Sequence, residues 1–91
     1  MLVNKTFELG TLKGTIFDFY EINDVLPMHS HTEADVHISI IARGSFKVHG
    51  KGWEKNVKAG DVVDWSPGQD HEFISTSQNS RLVNIIKGTT E

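Results

Sequence analysis

The apolar residues of this chain fall in short runs, none with the 3.6-residue recurrence of an amphipathic helix, and this most narrows the folds open to it. The runs are LVNKTFEL, GTIFDFYEI, HISIIA, SFKVHG, WEKNVKA, DVVDWS, HEFIST and RLVNIIK, separated by Gly, Asn, Asp and Pro. β-Branched and aromatic residues dominate them, as they do in strands that pack one face against a core. Eight such strands in 91 residues predict an all-β protein, an antiparallel β-barrel or jelly-roll sandwich, built as one domain over residues 1–91. Gly50-Lys51-Gly52 reads as a tight hairpin loop, and Ala59-Gly60-Asp61 and Ser66-Pro67-Gly68 as further turns.

The composition removes several function classes. There is no cysteine, so neither a disulfide framework nor a thiolate metal site is open to the chain, and any metal must be held by imidazole or oxygen. The net charge is −3 and the Lys and Arg residues are dispersed, without the basic stripe that neutralises phosphates, so nucleic acid is not an expected partner. The opening MLVNKTFELG has neither the basic region nor the apolar stretch of a signal peptide, and no apolar run approaches the roughly 18 residues that span a bilayer. The expectation is a soluble cytoplasmic protein with no membrane partner. A chain of this size buries only about 60 to 65% of its unfolded surface, so a bound metal or a second subunit would add useful stability.

The residues that carry chemistry are the histidines. His29 and His31 lie two apart, which in a strand sets both imidazoles on one face about 7 Å apart. His37 opens the apolar run HISIIA, where an inward polar side chain needs a partner or a ligand role. His71 opens HEFIST, distant in sequence but able to approach the others if the strands pair across a barrel. Taken singly, each reads as an ordinary surface or turn histidine.

Together with their spacing they resemble the two motifs of a small single-domain cupin. The first motif, about 23–44, places His29 and His31 at its HxH and Gly44 at its closing glycine; counting back across six residues from Gly44 reaches His37. The second, about 60–75, runs from Gly60 through DVVDW, Ser66, Pro67, Gly68 and two residues to His71, and its asparagine position falls on Ser75. The chain departs from the pattern in having Asn23 for a glycine, Ser66 for a proline and His37 for the glutamate, after a gap one residue longer than usual. The resemblance therefore implies a metal held by His29, His31, His37 and His71, with Glu33, and less directly Asp35, in reserve for the position of His37. His49 is left over as a surface residue.

Four neutral imidazoles would leave the ion its full charge and suit a divalent transition metal, Fe, Cu, Ni, Zn or Mn. Each ligand must be neutral to bind, so affinity should fall as pH drops below about 6.5. Alternation along the strands makes Ser39 and Ile41 inward if His37 is, and Phe73 inward if His71 is, with Trp65 and Tyr20 as candidates to close the mouth of the resulting pocket. Ile38 and Ile40 then face outward, which suggests packing against another sheet or a second subunit, and similar cupins are commonly homodimers. By resemblance the first functional expectation is a metal-dependent enzyme acting on a small organic molecule, an oxidoreductase of dioxygenase type, with isomerase or lyase chemistry also open. Glu33, Tyr20 and Glu72 are conceivable bases. The alternatives are a metal-bearing binding or sensor module without turnover, and a scaffold stapled by its metal.

Overall fold

The computed structural model describes residues 1–29, 34–66 and 68–88, apart from the side chains of residues 29, 34, 35 and 88. It contains nine strands: β1 (Leu2–Leu9), β2 (Leu12–Phe19), β3 (Val25–His29), β4 (Ala34–Arg43), β5 (Ser45–Gly50), β6 (Trp53–Lys58), β7 (Val62–Asp64), β8 (His71–Ser75) and β9 (Ser80–Gly88). There is no helix among the described residues. Five strands form one sheet in the order β1-β2-β9-β4-β7, and four form the other in the order β3-β8-β5-β6. Every strand pair is antiparallel.

All eight expected runs contain a strand, and β3 is the addition. Its sequence, VLPMH, holds a proline that supplies no N–H to a ladder, which argues against a strand in the middle of a sheet. β3 lies at the edge of its sheet, and its register with β8 shifts between Leu26 and His29, across that proline. An edge position and a bulge are where a strand proline is tolerated. The second run ends earlier than expected, at Phe19, and DVVDWS keeps strand form only over Val62–Asp64.

The two sheets bury their inner faces against each other. Phe19, Ile41, Val63 and Leu82 from the five-stranded sheet meet Phe46, Val48, Val57 and Phe73 from the four-stranded one. Phe19 and Phe46 cross edge to face with ring centroids 4.8 Å apart, and Phe46 meets Phe73 in the same way at 5.9 Å. The favourable quadrupolar geometry of such pairs adds to the burial of large apolar surfaces.

The corners explain several spacing features. Gly50 pairs with Trp53, so the β5–β6 loop is Lys51-Gly52 alone, and of the two glycines read there only Gly52 has positive φ, at 78°. Asn23, where the cupin motif has glycine, adopts φ 71°, a left-handed conformation that asparagine tolerates better than other side chains. Gly44 has φ 79°, and a methyl group there would run into Ser80 and lie 2.8 Å from Ser77 Oγ. These two serines reach over the corner to bind it, since Ser45 N–H donates to Ser77 Oγ at 3.0 Å. Gly44→Ala is therefore expected to lower unfolding free energy by about 1–3 kcal/mol for the backbone conformation, and by more for the collision. Gly10→Ala, at φ 61° with nothing within 4 Å, should show the backbone cost alone. Urea denaturation of both variants checks this, and equal losses would contradict the steric account.

Candidate metal centre and interior cavity

His37 comes from β4 in one sheet and His71 from β8 in the other, and alternation turns both into the interior, where they are 4% and 0% exposed. Their ring centroids are 5.0 Å apart. The indole of Trp65 stacks on His71 with centroids 4.1 Å apart and planes at 15°, and it sits 6.2 Å from the ring of His37. Trp65 is fixed at this place by its backbone N–H, which donates to the backbone carbonyl of His37 at 2.9 Å. Two imidazoles and one indole thus fill one end of the sandwich interior.

The protonation pattern of His71 follows from its neighbour. Nδ1 lies 2.9 Å from the backbone carbonyl oxygen of Gln69. A carbonyl only accepts, so Nδ1 carries the hydrogen, and in the neutral ring Nε2 keeps the lone pair that a metal requires. Backbone carbonyls commonly orient metal-binding histidines this way. Both Nε2 atoms are buried. The donor chemistry of this pair fits a transition metal.

The remaining expected ligands are placed only in part. The backbone of His29 is the register partner of His71 in the β3–β8 pair. Its side chain and that of Asp35, and all of His31 and Glu33, lie outside the described residues. Among the described residues there is no group of three or more His, Asp or Glu side chains that would hold a metal.

The expected pocket residues divide differently. Ser39, Ile41 and Phe73 point inward and are fully or almost fully buried, and Trp65 is buried beside the histidines. They belong to the packed interior and are not among the residues that line the cavity beside β3. Tyr20 does not reach the site: it is 44% exposed and follows Phe19, the partner of Ser80, whereas His37 pairs with Ile86 six residues further along β9. Glu72 alternates outward from His71, and its carboxylate meets His49 Nε2 at 2.5 Å, so neither of these conceivable bases faces the imidazoles.

One cavity among the described residues was not visible in the motifs. A cavity of about 340 Å³ is lined by Thr15, Phe17, Leu26, Pro27, Met28, Asn84 and Ile86. It lies between β3 and the inner face of β2 and β9. Ile86 and Asn84 are the register partners of His37 and Ser39, so the cavity adjoins the β4 segment that carries the first imidazole. Asn84 is 4% exposed and accepts a hydrogen bond from Ser39 Oγ at 2.5 Å, while Trp65 Nε1 donates to the same oxygen at 2.9 Å. The available signal was the alternation in RLVNIIK, in which an inward Leu82 makes Asn84 inward too, a lone amide among apolar neighbours.

With this architecture established, the chain can be set beside known proteins. It superimposes on KdgF from Halomonas sp. with a TM-score of 0.84 at 17% identity, over 98% of this chain and 82% of that one. A cupin 2 conserved barrel domain protein from Salinispora arenicola gives 0.83 at 19% identity, over 97% and 76% of the two chains. An RmlC-like cupin from Shewanella frigidimarina gives 0.80 at 21% identity, over 99% and 78%. The chain has the cupin fold. No family sequence model matches it, and comparison with curated proteins gives no sequence match either.

On the cupin fold the two motif segments take recognisable places. The first runs through β3 and β4 to the corner at Gly44, and the second through β7 and β8 to Ser75. Ser75, at the motif's asparagine position, donates to the carbonyl of Glu21 at 2.5 Å and accepts from Asp24 N–H at 3.0 Å, pinning the β2–β3 connection. Within the interior, Ser39→Ala would leave the Trp65 N–H and the Asn84 carbonyl without their shared hydroxyl. It is expected to cost about 1–3 kcal/mol, measured by denaturant unfolding, and an unchanged midpoint would show that the three groups are not coupled as described.

Proposed function

We propose that the protein is a single-domain metal-binding cupin, with His37 and His71 as two of the ligands and His29 and His31 completing the set, and that it acts on a small organic molecule in the adjoining cavity. The observation that carries this reading is the burial of two imidazoles from opposite sheets with ring centroids 5.0 Å apart, one of them oriented by a backbone carbonyl. A bound iron or copper would supply dioxygen chemistry, and zinc a Lewis acid. The chain's own part is to fix the His71 tautomer, to shield that ring from water with Trp65, and to hold the organic ligand against β9. Oxidation of dioxygenase type is the first reaction to test.

A binding or sensing role without turnover is the second reading. It is favoured by the outward pairing of Glu72 with His49 and the distance of Tyr20, which leave no described carboxylate or phenol beside the imidazoles to act as a base.

Elemental analysis of purified protein separates these from a metal-free scaffold. The wild type is expected to retain Fe, Cu, Ni, Zn or Mn, and His71→Ala and His37→Ala each to weaken retention by more than the roughly 10–100-fold typical of losing a supporting residue. Retention unchanged in both variants would refute the site. Oxygen uptake with thiols, diketones and phenols then favours the enzyme, and its absence the binding module.

The outer face of the five-stranded sheet supports a homodimer. Val3, Leu9, Val36 and Val62 are 42, 64, 40 and 60% exposed on it, around half-buried Ile16, Ile38, Ile40, Val83 and Ile85. Ile38 pairs with Ile85 and Ile40 with Val83, so the apolar residues form one block. Charges edge it: Arg81 donates to both carboxylate oxygens of Asp18 at 2.8 and 3.1 Å and holds that carboxyl below its usual range. Contiguous apolar patches of this kind mark association surfaces. Light scattering should give twice the 10.2 kDa of one chain, falling to a single chain in Ile38→Lys/Ile85→Lys. A wild type that is monomeric at high concentration would exclude this use of the face.

A further inference from the structure

The hydrogen bonds behind the cavity dictate which end of the Asn84 amide a ligand meets. The indole N–H of Trp65 can only donate, so the Ser39 oxygen accepts from it at 2.9 Å. Ser39 has one hydrogen, and it points to Asn84, 2.5 Å away. Asn84 accepts that hydrogen through its carbonyl oxygen, which turns the NH₂ end of the amide away from Ser39. The indole N–H takes one lone pair of the Ser39 oxygen, and the hydroxyl hydrogen orients the amide at the end of the relay.

We infer that Asn84 presents its NH₂ group to the cavity as a fixed hydrogen-bond donor, and that the cavity selects a small, mostly apolar molecule carrying a carbonyl-type oxygen. This rests on the reading of the cavity as a ligand site. Among the described residues no protein acceptor is bonded to Asn84 Nδ2, and Asn84 lines the cavity. Thr15, its register partner on β2, adds a hydroxyl beside it. Phe17, Leu26, Met28 and Ile86 supply an apolar surround, and none of the described lining residues is charged. A volume of about 340 Å³ is at the lower end for small-molecule sites. A donor that faces the cavity disfavours any ligand without an acceptor to meet it, because the N–H is then desolvated without compensation.

The test compares acetophenone with α-methylstyrene, which has the same shape with a methylene in place of the oxygen, by NMR titration of isotope-labelled purified protein. Acetophenone is expected to bind roughly tenfold more tightly and to shift the Asn84 side-chain NH₂ resonances, and the isostere to leave those resonances in place. Asn84→Leu should make the two affinities equal. Asn84→Asp keeps an oxygen toward Ser39 but replaces the donor, and should weaken acetophenone selectively. If Thr15 and Ile86 respond to both probes alike while the Asn84 amide stays still, the donor role is overturned and the cavity stands as a ligand site. If neither probe moves any cavity resonance, the ligand-site reading fails and the inference with it.

Discussion

Six polar side chains, His37, Ser39, His71, Ser75, Ser80 and Asn84, are sealed between two thin sheets, and the need to satisfy them shapes the molecule. They separate into two groups along the sandwich. Ser75 and Ser80 sit at one end, tying the β2–β3 connection and the Gly44 corner to the ends of β8 and β9. The histidines, Ser39 and Asn84 sit toward the other, joined through Trp65. Phenylalanines and aliphatic residues fill the space between. A polar group left unmatched in such an interior costs more than a made hydrogen bond gains, so each group is held to one geometry. One end closes the fold, and the other borders the cavity.

Trp65 links packing to chemistry at that second end. Its backbone donates to β4, its ring covers His71, and its N–H begins the relay that ends at Asn84. One residue after a short strand therefore sets the environment of an imidazole and the polarity of a cavity wall together. β9 plays a comparable double part. Its inward residues Leu82, Asn84 and Ile86 make core and cavity, while Val83 and Ile85 between them build the apolar outer face. Ligand and second subunit would then meet opposite faces of the same strand, so a change in one is placed to be felt at the other.

Much of this architecture could be read from the sequence because period-two alternation is a geometric rule. His37, Ser39 and Ile41 share a face, and so do His71 and Phe73, whatever surrounds them. The spacing from Gly60 to His71 and back from Gly44 to His37 identified the two rings that the fold brings together. β3 was illegible because its proline argues against a strand, and only an edge position makes it acceptable. Tyr20 was misplaced because the length of β2 decides which end of the sandwich it reaches, and a run of apolar letters does not fix where pairing stops. The cavity was missed for a different reason. Thr15, Leu26 and Asn84 come from three strands whose adjacency depends on sheet order, which no local pattern contains.

The central claim is that imidazoles from opposite sheets bind one metal ion inside the sandwich. X-ray absorption at the edge of whichever metal co-purifies examines this directly, since imidazole rings leave a characteristic multiple-scattering signature. The account predicts at least two imidazole nitrogens at about 2.0–2.2 Å in the wild type, with one ring fewer in His37→Ala. A first shell made of oxygens alone, or a spectrum indifferent to that substitution, would contradict it.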